Sequence, residues 1–451
     1  MANHDTSSEC GGRSPRRYAV ALCLAAGATL LATTTSGQDI EHDPIHYSTA
    51  TPHNAVAELA HRLAQGAVQL EYDPQRGYLR SLLRALDVPE SSQVLVFSKT
   101  SLQRERISPQ TPRAIYFNDD VLIGSCIGGR VLEISAADDA LGTVFYTLNQ
   151  KRAAQPAVER QTESCMLCHS SSANRGFPGH LVRSLQVDDD GLPLLAHGSF
   201  RTDHASPLAE RWGGWYVTGT SGNQKHMGNT IFHETAAPAA SDNAPGVNLT
   251  DLNDRFKTSL CLTPHSDIVA LMVLEHQAGM LNRLARATLE TRLALHYERD
   301  MNQALGQPPD EPSESARRRI RSAGDAVVEY LLFHDEARLT DRVSGTSTFA
   351  ADFAARGPRD SQGRSLRDFD LTTRLFRYPC SYLIYSRAFD TLPGEVKGHV
   401  YQRLWEILNG HGGDKCPGQL SPADRAAILE ILRATKRDLP AYWTAPPTAA
   451  P

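Results

Sequence analysis

Apolar residues recur at helical spacing early in the chain, at Val56, Leu59 and Leu63 and again at Leu79, Leu82, Leu83 and Leu86, so the N-terminal part reads as helical. From Ser92 the period shortens. Val94–Phe97, Ala114–Phe117, Val121–Ile123 and Val131–Ile134 are short β-rich runs, with Asn118-Asp119-Asp120 and Gly128-Gly129 supplying turns between them. They predict a β-meander that Val144–Leu148 extends. Residues 161–235 read as loop-rich, with strand candidates at Leu181–Val187 and Trp215–Thr218. Ala236–Val247 is a flexible connector by composition and the best domain boundary. Beyond it Thr263-Pro264 offers an N-cap with proline at the first helical position, and apolar helical spacing runs from Ile268 towards Leu305. Three further helices are expected near Ser315–His334, Gly394–Leu408 and Ser421–Thr435.

The expected fold class is therefore α+β. N-terminal helices and a β-meander occupy 38–160, a loop-rich haem-binding region 161–247 and a mainly helical region 248–438, with a loose tail at 439–451. The 451 residues suffice for a sizeable core. A net charge of -5, with 22% charged and 41% hydrophobic residues, describes a soluble globular protein with no basic bias, which argues against nucleic acid as a partner.

The first 37 residues change the picture. Arg13, Arg16 and Arg17 precede an apolar run from Ala19 to Ala32, and Thr33-Thr34-Thr35-Ser36-Gly37 follows. This is the n-region, h-region and small-residue exit of a secretory signal peptide. The run is shorter than the roughly 20 residues a membrane span needs, so no transmembrane span is expected apart from the signal segment, and the chain is expected in the periplasm or an equivalent extracytoplasmic space. In that oxidising setting Cys126, Cys261, Cys380 and Cys416 could form two disulfides or remain buried thiols.

The segment that carries chemistry is Cys165-Met166-Leu167-Cys168-His169. Cys-x-x-Cys-His is the attachment pattern for c-type haem, because two thiols reach the two vinyl groups while the adjacent His presents its ring to the iron. On a helical turn capped by Thr162 the three side chains share one face. Random occurrence on this composition is about 0.005 copies. A zinc site needs two more ligands and the chain has no second close cysteine pair, and a redox dithiol prefers a βαβ context. One covalent haem c is therefore expected, with His169 as proximal ligand.

The sixth iron position decides between a closed electron carrier and an open reactive centre. His226 or Met227, on a flexible loop, is the first distal candidate; His276 or Met280, one helical turn apart, is the second. Each can equally be a core residue. Arg175, Arg183, Arg201 and the Arg211-Trp212-Gly213-Gly214-Trp215-Tyr216 run hold candidate partners for the haem propionates, with Arg175, Arg211 and Trp212 preferred, although Trp-Gly-Gly-Trp also suits a packed turn. Asp203-His204 is a weaker acid/base candidate.

Cys165–His169, Pro178–Ser184, Arg211–Gly219 and Val273-Leu274-Glu275-His276-Gln277 together resemble a group of large, exported, single-haem cytochrome c-domain proteins, over about Gln93 to Leu408. That resemblance implies a haem and an extracytoplasmic location, with no established substrate. Three functions follow as expectations: electron transfer or redox chemistry with a redox partner protein, a haem enzyme of peroxidase or oxygenase type with an open distal site, or a haem-stapled interaction or sensor module. A carrier needs only about 100 residues, so the extra chain is expected to bind a partner or enclose a site.

Overall fold

Asn54 sets the first helix of the chain. Its side-chain oxygen accepts from the backbone N–H groups of Val56 and Ala57, meeting two of the amides a helix start leaves open. Helix α1 (Ala55–Ala64) follows and buries Val56, Leu59 and Leu63. Helix α2 (Leu79–Ala85) buries Leu79, Leu82 and Leu83, as the spacing predicts. The computed structural model describes residues 40–171, 174–232, 243–309, 311–411 and 420–444. The signal segment, Cys416 and most of the 236–247 connector lie outside them.

The β-rich runs form the expected meander: β1 (Val94–Val96), β2 (Arg113–Phe117), β3 (Val121–Ser125), β4 (Val131–Asp138), β5 (Gly142–Asn149) and β6 (Val158–Gln161), each antiparallel to the next. The Cys165–His169 turn, α3 (Met166–His169), comes next, then the small hairpin of β7 (Arg183–Ser184) and β8 (Phe200–Arg201). Strand β9 (Trp215–Tyr216) returns to the edge of β1, pairing Val96 with Trp215, and gives the sheet order β6-β5-β4-β3-β2-β1-β9. The segment that bears the motif is thus flanked on both sides by strands of one sheet.

Strand β4 alternates half-buried and buried residues, the period-two signature of a sheet with two unlike faces. Leu132, Ile134 and Ala136 share a core with Val144, Tyr146 and Leu148 of β5 and with the buried residues of α1 and α2. Phe145 points the other way.

After β10 (Gly219–Thr220), helix α4 (Ile268–Ala304) runs for 37 residues. Every residue from Ile268 to Ala278 is buried, as expected of a helix packed on all sides. Its start differs from expectation. Asp267, not Thr263, is the N-cap, with Oδ1 accepting from Val269 and Ala270. Gln93 explains the shift, since its Nε2 donates to the carbonyls of Thr263 and His265 and holds that stretch outside the helix. Helix α5 (Glu314–Leu331), the short β11 (Ser344–Gly345), α6 (Phe349–Ala355), α7 (Arg387–Asp390), α8 (Gly394–Leu408) and α9 (Pro422–Thr435) complete the helical part. A Ser421/Asp424 capping box starts α9.

The fold is α+β, helices with an antiparallel sheet. Segments on both sides of 236–247 share one core, in which Val94, Val96 and Trp212 meet Ile268, Leu271 and Leu274. The tail expected to be loose is packed as far as Trp443, whose indole is fully buried in that core and whose carbonyl accepts from Arg433. Among the described residues, no helix is long and apolar enough to cross a membrane.

Candidate functional site

The Cys165–His169 segment folds as one helical turn. His169 N–H donates to the carbonyl of Cys165 at 3.0 Å, and Met166 N–H to that of Glu163 at 3.0 Å. Thr162, expected as the cap, is displaced by Cys165 itself, which stands at the N-cap with helical dihedrals and no side-chain cap bond. The helical spacing brings Cys165, Cys168 and His169 to one face. Cys165 is half-buried and Cys168 exposed, Leu167 is 83% exposed, and Met166 packs back against the core beneath the sheet. Burial, with Glu133 nearby, pushes the Cys165 thiol up to about 11. A reactive dithiol needs the opposite shift. Among the described residues no three His, Cys, Asp or Glu side chains gather as metal ligands.

His169 is held on two sides. Its ring lies against Phe145 of β5, centroids 4.6 Å apart, and its Nδ1 is 2.8 Å from the carbonyl oxygen of Gly179. A carbonyl only accepts, so Nδ1 carries the proton and Nε2 keeps its lone pair. Burial moves the ring below its ordinary pKa, which favours the neutral form. This is the state an iron-ligating histidine needs, with the second nitrogen fixing ring orientation. The carbonyl is itself positioned. Asn282 of α4 accepts from His180 N–H at 2.7 Å and donates to the His180 carbonyl at 2.8 Å, while Asn174 donates to the His169 carbonyl. A Cβ on Gly179 would lie 2.4 Å from Asn282 Oδ1, so this approach requires glycine.

The distal candidates are placed differently. His226 is buried edge-on to Trp212, and its Nδ1 accepts from Gly228 N–H. Met227 is half-buried, with Sδ 3.6 Å from the Ser184 hydroxyl. His276 is fully buried, with Nδ1 2.9 Å from His204 Nδ1 and Nε2 2.7 Å from the Ser381 hydroxyl. Both its nitrogens are engaged inside the protein. Met280 is wholly enclosed in the helical core.

Of the expected propionate partners, Arg175 is exposed, whereas Arg211 is turned inward. Its guanidinium donates to Glu275 Oε2 at 3.1 Å and to the carbonyls of His204 and Ser206. Trp212 is fully buried. Asp203 and His204 have different hydrogen-bond partners: Asp203 accepts from Ala205 N–H and faces Arg283, while His204 pairs with His276. Cys126, Cys261 and Cys380 are separate, buried free thiols. Sequence reasoning missed Phe145 and Asn282, which support the motif from 24 residues before Cys-x-x-Cys-His ends and 113 after; the Pro178–Ser184 block marked the stretch they hold. No protein-family model, curated protein or solved structure matches the chain.

Proposed function

We propose that this protein is an exported c-type cytochrome carrying one covalent haem and acting in electron transfer with a redox partner protein. The observation that carries the reading is the His169 Nδ1 contact with the Gly179 carbonyl at 2.8 Å, on the same turn as Cys165 and Cys168. It leaves Nε2 as a neutral, oriented donor beside two available thiols. In this reading Cys165 and Cys168 hold the macrocycle by thioether bonds and His169 ligates the iron. The bound haem supplies a reversible one-electron centre. Asn282 and Gly179 keep the His169 ring in one tautomer and orientation, and Phe145 limits its rotation. The n-region, h-region and exit of residues 1–37 support export.

A second reading, a haem enzyme with an open sixth position, is favoured by the engagement of both His276 nitrogens and the enclosure of Met280. Expression in a bacterial periplasm with the haem-attachment machinery tests both. Covalent haem in the wild type, lost in Cys165→Ser/Cys168→Ser, is the expected result, and a haem-free wild type overturns the assignment. A low-spin ferric spectrum then supports the carrier, and a high-spin form that binds cyanide supports the enzyme.

A further inference from the structure

The loop from Asn174 to His180 lines one wall of a cavity of about 470 Å³ that lies between it, α4, α5 and the β7–β8 region. The motif residues Cys165, Cys168 and His169 do not line it. Small residues open it, among them Ala278 and Gly279 on α4 and Ala323 and Ala326 on α5. Gly279 is needed there, because a Cβ would sit 2.0 Å from the Tyr330 hydroxyl.

Four residues of the cavity's lining carry a buried side-chain polar atom without a hydrogen-bond partner in the protein: Tyr330 Oη, His180 Nε2, His334 Nδ1 and Thr202 Oγ1. Tyr330 and His180 are 4% and 5% exposed. Buried polar groups are satisfied in more than roughly 90% of cases, and leaving one unpaired is destabilising. Four such residues around one cavity, two at the C-terminal end of α5, one after Gly179 and one after β8, point to a polar occupant. The charge around it indicates the sign. Arg175, Arg201, Arg283 and Arg286 line the cavity, against Asp203, Glu329 and Asp335. Arg286 is bound to Glu290 at 2.7 Å, but Arg283 lies 3.6 Å from the centroid of the Tyr330 ring and only 3.7 Å from Asp203. A guanidinium over a tyrosine with a free hydroxyl is a two-point donor set for a carboxylate. The volume is that of small-molecule sites, roughly 300–1,000 Å³.

We propose that this cavity binds a small organic carboxylate carrying a second polar group, its carboxylate held by Arg283 and the Tyr330 hydroxyl and its second group by His180 Nε2. The inference does not depend on the haem assignment.

Calorimetric titration of the purified full chain with pyruvate and with malate, against glycerol and choline as neutral and cationic controls, tests it. The expected result is saturable binding of at least one carboxylate and of neither control, weakened about tenfold or more in Arg283→Gln and severalfold in Tyr330→Phe. Tyr330→Phe removes only an unpartnered hydroxyl, so it keeps the fold. A ligand-dependent rise in melting temperature that Tyr330→Phe diminishes is the second readout. Absence of binding by both carboxylates, equal binding by glycerol, or unchanged affinity in both variants overturns the proposal. So does binding confined to a haem-free Cys165→Ser/Cys168→Ser variant, since the carboxylates filling the cavity would then be the propionates of a bound haem.

Discussion

His204 is the acceptor and His276 the donor in the 2.9 Å contact between their Nδ1 atoms. His204 Nε2 faces the His334 carbonyl at 3.3 Å, so that nitrogen carries the proton. Burial pushes His204 down to about 3 and His276 well below its ordinary range, so both rings are neutral and each has one N–H. His204 Nδ1 is then a lone pair, His276 Nδ1 donates to it, and His276 Nε2 accepts from the Ser381 hydroxyl. The chain runs in one direction from Ser381 to the His334 carbonyl.

His276→Ala should therefore destabilise the protein by about 2–4 kcal/mol, combining a cavity with two stranded polar partners. Urea unfolding followed by circular dichroism measures it. The ferric haem spectrum of the folded variant should stay that of the wild type. Loss of a low-spin spectrum with stability intact would instead make His276 an iron ligand.

The legible parts of this chain are those where local chemistry and tertiary packing agree. Gly394–Leu408 and the Ser421 cap stand where spacing and capping residues place them, and five of the meander strands follow their β-branched runs. The start of α4 is not legible locally, because Thr263-Pro264 is a good local cap, yet Gln93, 170 residues away from Thr263, claims its carbonyl. Cys165–His169 was legible because its chemistry is contiguous. Arg211 was not: nothing next to it in sequence reveals that its partner is Glu275, 64 residues on, at 4% and 0% side-chain exposure.

Gly179 and Asn282 are coupled through one contact, and a double-mutant cycle should detect it. Gly179→Ala alone drives a methyl against Asn282 Oδ1 and should cost about 1–3 kcal/mol. Asn282→Ala alone removes both bonds to the His180 main chain and should cost about 1–2 kcal/mol. In the double variant the methyl no longer meets the amide, so the combined loss should fall short of the sum by at least about 0.5 kcal/mol. Strict additivity in chemical denaturation would show that the loop does not rest on Asn282.

Arg211 and Glu275 make the remaining test, and its sign depends on pH. Burial raises the Glu275 carboxyl to about 7 despite the attraction of Arg211. A raised folded-state value means that the group's stabilising contribution is full below the unfolded value of 4.5 and is lost as pH rises through about 7. Wild type should therefore lose stability relative to Glu275→Gln between pH 5 and pH 8, on the order of 2 kcal/mol, because the amide has no proton to surrender. Arg211→Met removes the partner instead. It should cost about 3–5 kcal/mol at pH 8, where a lone carboxylate would be buried, and less at pH 5.5, where the carboxyl is neutral. Parallel urea titrations of the three proteins at the two pH values would show it, and pH-independent differences would mean that Glu275 stays in one protonation state across the range.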